Sequence, residues 1–168
     1  HSLTTASISK QLALRLGNAD PMDCFIAGLL HDFGKVVFAQ FMPAEFRMAL
    51  IESKEKNLSL HNALQARIGV DHAVVGAMLI ERWRFAPELI ASIRHQSPSN
   101  FNDSPMVACI FGANQIAKHM KFGFGGNSVI EPFPMSVEKR LGGDMQTVIS
   151  GLGDLTGLFE EAKVFAKL

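Results

Sequence analysis

Gly28-Leu29-Leu30-His31-Asp32-Phe33-Gly34-Lys35 interrupts an apolar helical pattern with three polar side chains. Upstream, Asp20-Pro21 has the form of an N-cap and a first helical residue. Phe25, Ile26, Leu29 and Leu30 supply the apolar side of the helix that follows. His31 and Asp32 come directly after it and are expected to project from its buried end. Gly34 is the expected point of bending or interruption before Val36, Val37 and Phe38. With helical geometry carried past Gly34, His31, Asp32 and Lys35 share one region of surface. Imidazole beside carboxylate suits a borderline or hard divalent metal, and lysine suits a phosphate oxygen. Taken alone, the pair also reads as a helix C-terminus with caps and ion pairs.

Outward from this octet the period stays helical, with no sustained alternation of the strand kind. A helix over about residues 3–16 stops at Gly17-Asn18. Pro43 opens a helix ending near Lys56-Asn57, Ser59 caps a short one ending at Gly69, and Asp71 caps another through Trp83. Pro87 begins a helix reaching His95, which Pro98 keeps short, and Pro105 begins one through about Lys118. The segment from Phe122 to Pro134 is rich in Gly and Pro and reads as a long loop. Ser136 and Asp144 are the expected caps of two short helices, and Asp154 of a last one running to the C-terminus. The fold class is therefore all-α, a helical bundle.

The chain of 168 residues reads as a single domain able to bury a sizeable core. Sixteen basic and 16 acidic residues cancel, which argues against a nucleic-acid or membrane-surface partner. No apolar run is expected to be long enough to cross a bilayer. Cys24 and Cys109 sit in apolar helical stretches without metal-type spacing, and read as buried reduced thiols of a cytoplasmic protein. The first residue is His1 rather than Met, so the chain reads as a fragment.

Three more histidines stand at helix ends, where helices converge. His72 opens one helix, His95 closes another, and His1 precedes the first. Imidazoles on facing helices can build a metal site in a bundle core; three independent capping histidines are the other reading. His61, in a polar stretch, and His119, between Lys118 and Lys121, fit that second reading. Asn114 has Val107, Ile110, Phe111 and Ala117 as its helical neighbours, so it faces inward and needs partners. It is either a satisfied core amide or the remnant of a carboxylate ligand.

Four stretches in this order and spacing carry a resemblance: His1-Ser2, Ala27 to Lys35, Gly69 to Ala77, and the run from Trp83 that ends at His95. The chain resembles the HDOD branch of the HD superfamily, the HD-related output domain of bacterial signalling proteins. The resemblance covers His1 to about Lys118. It implies an HD-domain-like helical bundle with its core over residues 1–120, a C-terminal helical extension over 121–168, and preceding helices missing from this fragment. HDOD proteins are similar to the HD-GYP cyclic-dinucleotide phosphodiesterases, and that similarity implies metal positions at His1, His31, Asp32, His72 and His95. Three departures stand out. Gln96 follows His95 where a second histidine is expected, Asn114 falls where the late aspartate is expected, and the chain has no tyrosine for a Gly-Tyr-Pro motif. An amide brings no charge to hold a divalent cation or to activate its water.

The leading functional expectation is a bacterial signal-transduction output or regulatory module, non-catalytic, acting through a protein partner or a nucleotide ligand. The alternative is a metal-dependent phosphohydrolase acting on a nucleotide or cyclic dinucleotide, in which Lys35 steadies developing charge. The cofactor implied is a divalent metal (Fe, Mn or Mg), held weakly or not at all because of Asn114 and Gln96.

Overall fold

The computed structural model describes residues 1–97, 101–157 and 160. These residues contain no strand and ten α-helices. They are α1 (Ser2–Leu16), α2 (Pro21–Leu30), α3 (Phe33–Phe41), α4 (Pro43–Glu55), α5 (Leu60–Ile68), α6 (His72–Arg82), α7 (Pro87–Arg94), α8 (Pro105–His119), α9 (Met135–Leu141) and α10 (Met145–Leu152). Side-chain caps account for most of the starts. Asp20, Ser59, Asp71, Ser104 and Asp144 each accept a backbone N–H from the first turn that follows. Gly17 and Gly69 close α1 and α5 in the left-handed conformation.

Two local expectations are corrected. The helical run breaks at His31-Asp32 rather than at Gly34, which lies inside α3. Gly34 is instead a crossing point. A Cβ there would run into the His72 carbonyl oxygen and come within 2.8 Å of the Gly76 amide nitrogen, so α3 and α6 meet backbone to backbone. Ser136 lies within α9, whose N-cap position is Pro134 and makes no side-chain bond. The expected action of Pro98 and the expected final helix to the C-terminus lie outside the described residues. At that helix's expected start, Asp154 Oδ1 accepts from the Thr156 N–H.

Apolar burial divides into two clusters. The larger joins α1, α2 and α6–α8 through Ile8, Leu12, Ala27, Ile80, Ile93 and Phe111, among others. Val137, Leu141, Val148 and Leu155 belong to it too, so the described part of residues 121–168 shares this core. Cys24 and Cys109 are buried in it as free thiols. The smaller cluster joins α3, α4 and α5 through Phe38, Ala49, Leu60, Ala63 and Leu64. The His31-Asp32 break falls where the chain passes from one cluster to the other.

Contrary to the expectation from sequence, Pro21–Phe41 is long and apolar enough by composition to cross a membrane, with a mean hydropathy of 1.3. The cause is the near-continuous apolar content of α2 and α3, which feed the two cores. Its middle carries His31, Asp32 and Lys35, which are costly groups within a bilayer.

The α3–α6 crossing leaves no room for a side chain. Gly34→Ala is expected to cost about 2–4 kcal/mol, because both sides of the contact are backbone and cannot yield. Urea unfolding measures this, and a change under about 0.5 kcal/mol would show that the crossing is loose.

Candidate functional site

The helix break sets the site. His31 is the C-cap of α2, and its Nδ1 lies 2.7 Å from the Gly28 carbonyl oxygen. A carbonyl only accepts, so Nδ1 carries the proton and a neutral His31 leaves Nε2 bare. That Nε2 is buried without a hydrogen-bond partner, 3.3 Å from Asp32 Oδ2. The His31 side chain has no exposed surface. Burial pushes its pKa down, and the Lys35 charge adds to this against the opposing pull of Asp32. The backbone carbonyl that the break frees on His31 accepts from Gln96 Nε2 at 2.7 Å.

Asp32 is the centre of the cluster, with its side chain 10% exposed. Oδ2 lies 2.7 Å from Lys35 Nζ and 3.7 Å from His1 Nε2, and Oδ1 lies 3.4 Å from His72 Nε2. Burial favours the protonated acid, but His31, Lys35 and His72 outweigh it and hold the carboxyl well below the usual range. His72 opens α6, placed by the Asp71 cap. Burial, helped by neighbouring His61 and Lys35, lowers the His72 pKa to about 3. His1 precedes α1, and its Nε2 lies 3.1 Å from Asn114 Oδ1 on α8.

His1, His31, Asp32 and His72 therefore meet, with Asn114 beside His1. Gln96 is buried nearby but bonds backbone, and His95, partly exposed, is the C-cap of α7. Among the described residues, the three whose ligand atoms all lie within 4.8 Å of one another are His1, His31 and Asp32, a set that excludes His95. The expectation for His61 is corrected. It is 8% exposed, its Nδ1 lies 3.2 Å from Asp71 Oδ2, and its ring centroid is 4.1 Å from that of His72. His61 and Asp71 thus support His72 from behind. Their signal in the sequence is faint: a cap residue just before His72, with an imidazole ten positions upstream. His119 is exposed, as expected.

The loop after α8 crosses the cluster. A Cβ on Gly125 would lie 2.8 Å from His1 Nε2 and 3.1 Å from Asp32 Oδ2, and one on Gly123 would lie 2.5 Å from the His1 nitrogen. Lys35 Nζ donates to the Gly125 carbonyl at 2.6 Å. Asn127 Nδ2 donates to Ser53 Oγ and to the Leu58 carbonyl. Lys118, whose pKa burial pushes down, donates to the Val129 carbonyl.

The donor set fits one divalent ion in part. Two imidazole nitrogens and one carboxylate converge, and the bare, buried Nε2 of His31 is the state a metal ligand needs, with its other nitrogen fixed by a carbonyl. The charge is meagre, however: one carboxylate, already paired with Lys35.

Comparison with known proteins bears on the family and the fold. The family model for the HDOD domain matches residues 1–98. An uncharacterised protein of Treponema pallidum (strain Nichols) is 31% identical over 119 residues, which is 68% of this chain and 22% of that protein. The structure of an HDOD domain protein of unknown function from Geobacter sulfurreducens superimposes with a TM-score of 0.75 at 24% identity, over 95% of this chain and 59% of the other. A Shewanella amazonensis protein provisionally named a phosphohydrolase gives a TM-score of 0.67 at 24% identity, over 95% and 56% of the two chains. A Marinobacter aquaeolei protein provisionally named for signal transduction gives 0.73 at 19% identity, over 99% and 38%. The chain thus spans about a fifth of the Treponema relative and less than two thirds of each of these structures. With its model matched over more than half the length and the histidine–aspartate cluster at the helix break, the chain belongs to the HDOD domain family.

Proposed function

We propose that this chain is a non-catalytic regulatory module of a bacterial signalling pathway in the cytoplasm, acting by binding a protein partner. The observation that carries the reading is the amide at Asn114, bonded to His1 at the position where the resemblance implies a carboxylate. Gln96 is likewise engaged with the His31 backbone. Neither amide serves as a general base near neutral pH, and a single neutralised carboxylate holds a divalent ion poorly. The Marinobacter relative's provisional name supports the signalling context.

The bare Nε2 of His31 favours a second reading, metal-dependent phosphohydrolysis. There, His1, His31 and Asp32 would hold the ion, which supplies Lewis-acid chemistry when bound, while Lys35 binds a phosphate oxygen. A panel of phosphoesters and cyclic dinucleotides assayed with manganese, iron(II), magnesium and no metal separates the two. No turnover is expected. Turnover lost in both His31→Ala and Asp32→Ala establishes the enzyme instead.

Asn114→Asp is expected to tighten manganese binding by about tenfold, the scale on which single groups beside a site tune metal affinity. Unchanged affinity in a titration would mean that Asn114 is only a core amide.

In the metal-free protein the buried imidazoles make stability depend on pH. His31 and His72 have folded pKa values below the ordinary His value of about 6.5. As pH falls through that value the unfolded chain takes up protons that the native state refuses, so stability declines toward the His72 value of about 3. The depressed Asp32 works in another window. Its stabilisation is complete above the unfolded carboxyl value of about 3.9 and is lost only as pH drops through its lower folded value. Denaturation midpoints between pH 7 and 4.5 in chelator are expected to fall with pH, less steeply in His72→Gln. A flat wild-type profile contradicts this account.

A further inference from the structure

We propose that Lys35 is the resident cation of this cluster, held in place by the glycine-rich strap over residues 122–129, so that a divalent ion must displace a tethered ammonium. The inference rests on the preceding reading that the wild-type cluster holds a divalent ion weakly.

The geometry places the ammonium against the carboxylate oxygen that a metal bound here would need. Lys35 Nζ lies 2.7 Å from Asp32 Oδ2, the oxygen that also faces His31 Nε2 at 3.3 Å and His1 Nε2 at 3.7 Å. The two imidazoles of the metal-type set thus face an oxygen of its third member that already accepts a charge-assisted hydrogen bond. A second cation beside this oxygen would meet like-charge repulsion in a site with little water to screen it. The Lys35 side chain is 15% exposed, so the pair is no solvated surface bridge.

The strap fixes the ammonium from its other side. Lys35 Nζ donates to the Gly125 carbonyl at 2.6 Å, which turns a flexible lysine into a clamp between helix and loop. The carbonyl comes this close because Gly125 has no Cβ to strike the His1 ring. The strap has two further anchors. Asn127 bonds Ser53 Oγ and the Leu58 carbonyl beyond the end of α4, and Lys118 bonds the Val129 carbonyl. Glycines at 123, 125 and 126 allow the approach and the anchors keep it, so Lys35 swings away only if the strap also yields.

The probe is manganese(II) chloride, titrated calorimetrically into wild type, Lys35→Met and Asn127→Ala, with thermal unfolding recorded in EDTA and in excess manganese. Removing the ammonium is expected to tighten manganese binding on the order of tenfold or more. Manganese should also raise the Tm of Lys35→Met by more than that of wild type, because the bare Asp32 carboxylate then takes its counter-charge from the metal. Equal or weaker binding by a folded Lys35→Met overturns the proposal. Asn127→Ala keeps Lys35 and every ligand, and decides the matter should Lys35→Met not fold. It is expected to speed amide exchange over residues 122–129 and to tighten manganese binding by a smaller factor. Unchanged exchange, or faster exchange with unchanged affinity, overturns the strap's role. None of these readouts involves turnover, so this inference fails independently of the non-catalytic reading, whose own failure would appear as hydrolysis by the wild type.

Discussion

A carboxylate whose side chain is 10% exposed cannot remain ionised inside a protein without positive charge or several donors close by. Asp32 is such a carboxylate, and much of this molecule is arranged around meeting its demand. The helical run breaks so that Asp32 and His31 leave the axis between two apolar clusters. α3 then crosses α6 with no side chain between Gly34 and the His72 backbone, which brings His72 to the other carboxylate oxygen. The frayed end of α2 is repaired by Gln96, and Asp71 with His61 steadies His72 from the far side. Lys35, in the first turn of α3, completes the balance with a full charge.

This balance bears on chemistry. A metal site of this type works by concentrating negative charge and bare imidazoles at one point. Here the imidazoles are present and buried neutral, whereas the negative charge is single and already matched within the chain. The amide at Asn114 removes the charge that would tip the balance back toward a cation. The glycine-rich strap closes over the result. The resulting polar centre is closed on one side by backbone, with Lys35 bonded to both Asp32 and the Gly125 carbonyl.

Much of this was legible in the sequence because it rests on local chemistry. Asp20-Pro21, Ser59, Asp71 and Asp144 act as the caps they resemble, since a side-chain oxygen and a free N–H need only a few residues to find each other. Asn114 faces inward because its helical neighbours are apolar. What escaped the reading depends on distant parts of the chain. Gly34 looks like a helix breaker, because nothing local reveals that another helix passes against it. His61 looks exposed in its polar stretch, because its partners arrive from the start of the next helix. The segment from Phe122 to Pro134 reads correctly as a loop, but its glycines do not say which surface they approach.

The central claim is that Asp32 is neutralised from within the chain rather than by a metal ion. Elemental analysis of the purified protein, after dialysis against a mild chelator that leaves it folded, tests this most directly. The account predicts far less than one equivalent of iron, manganese or zinc per chain, with the protein still folded. One equivalent or more, retained through dialysis and lost in Asp32→Ala, would contradict it.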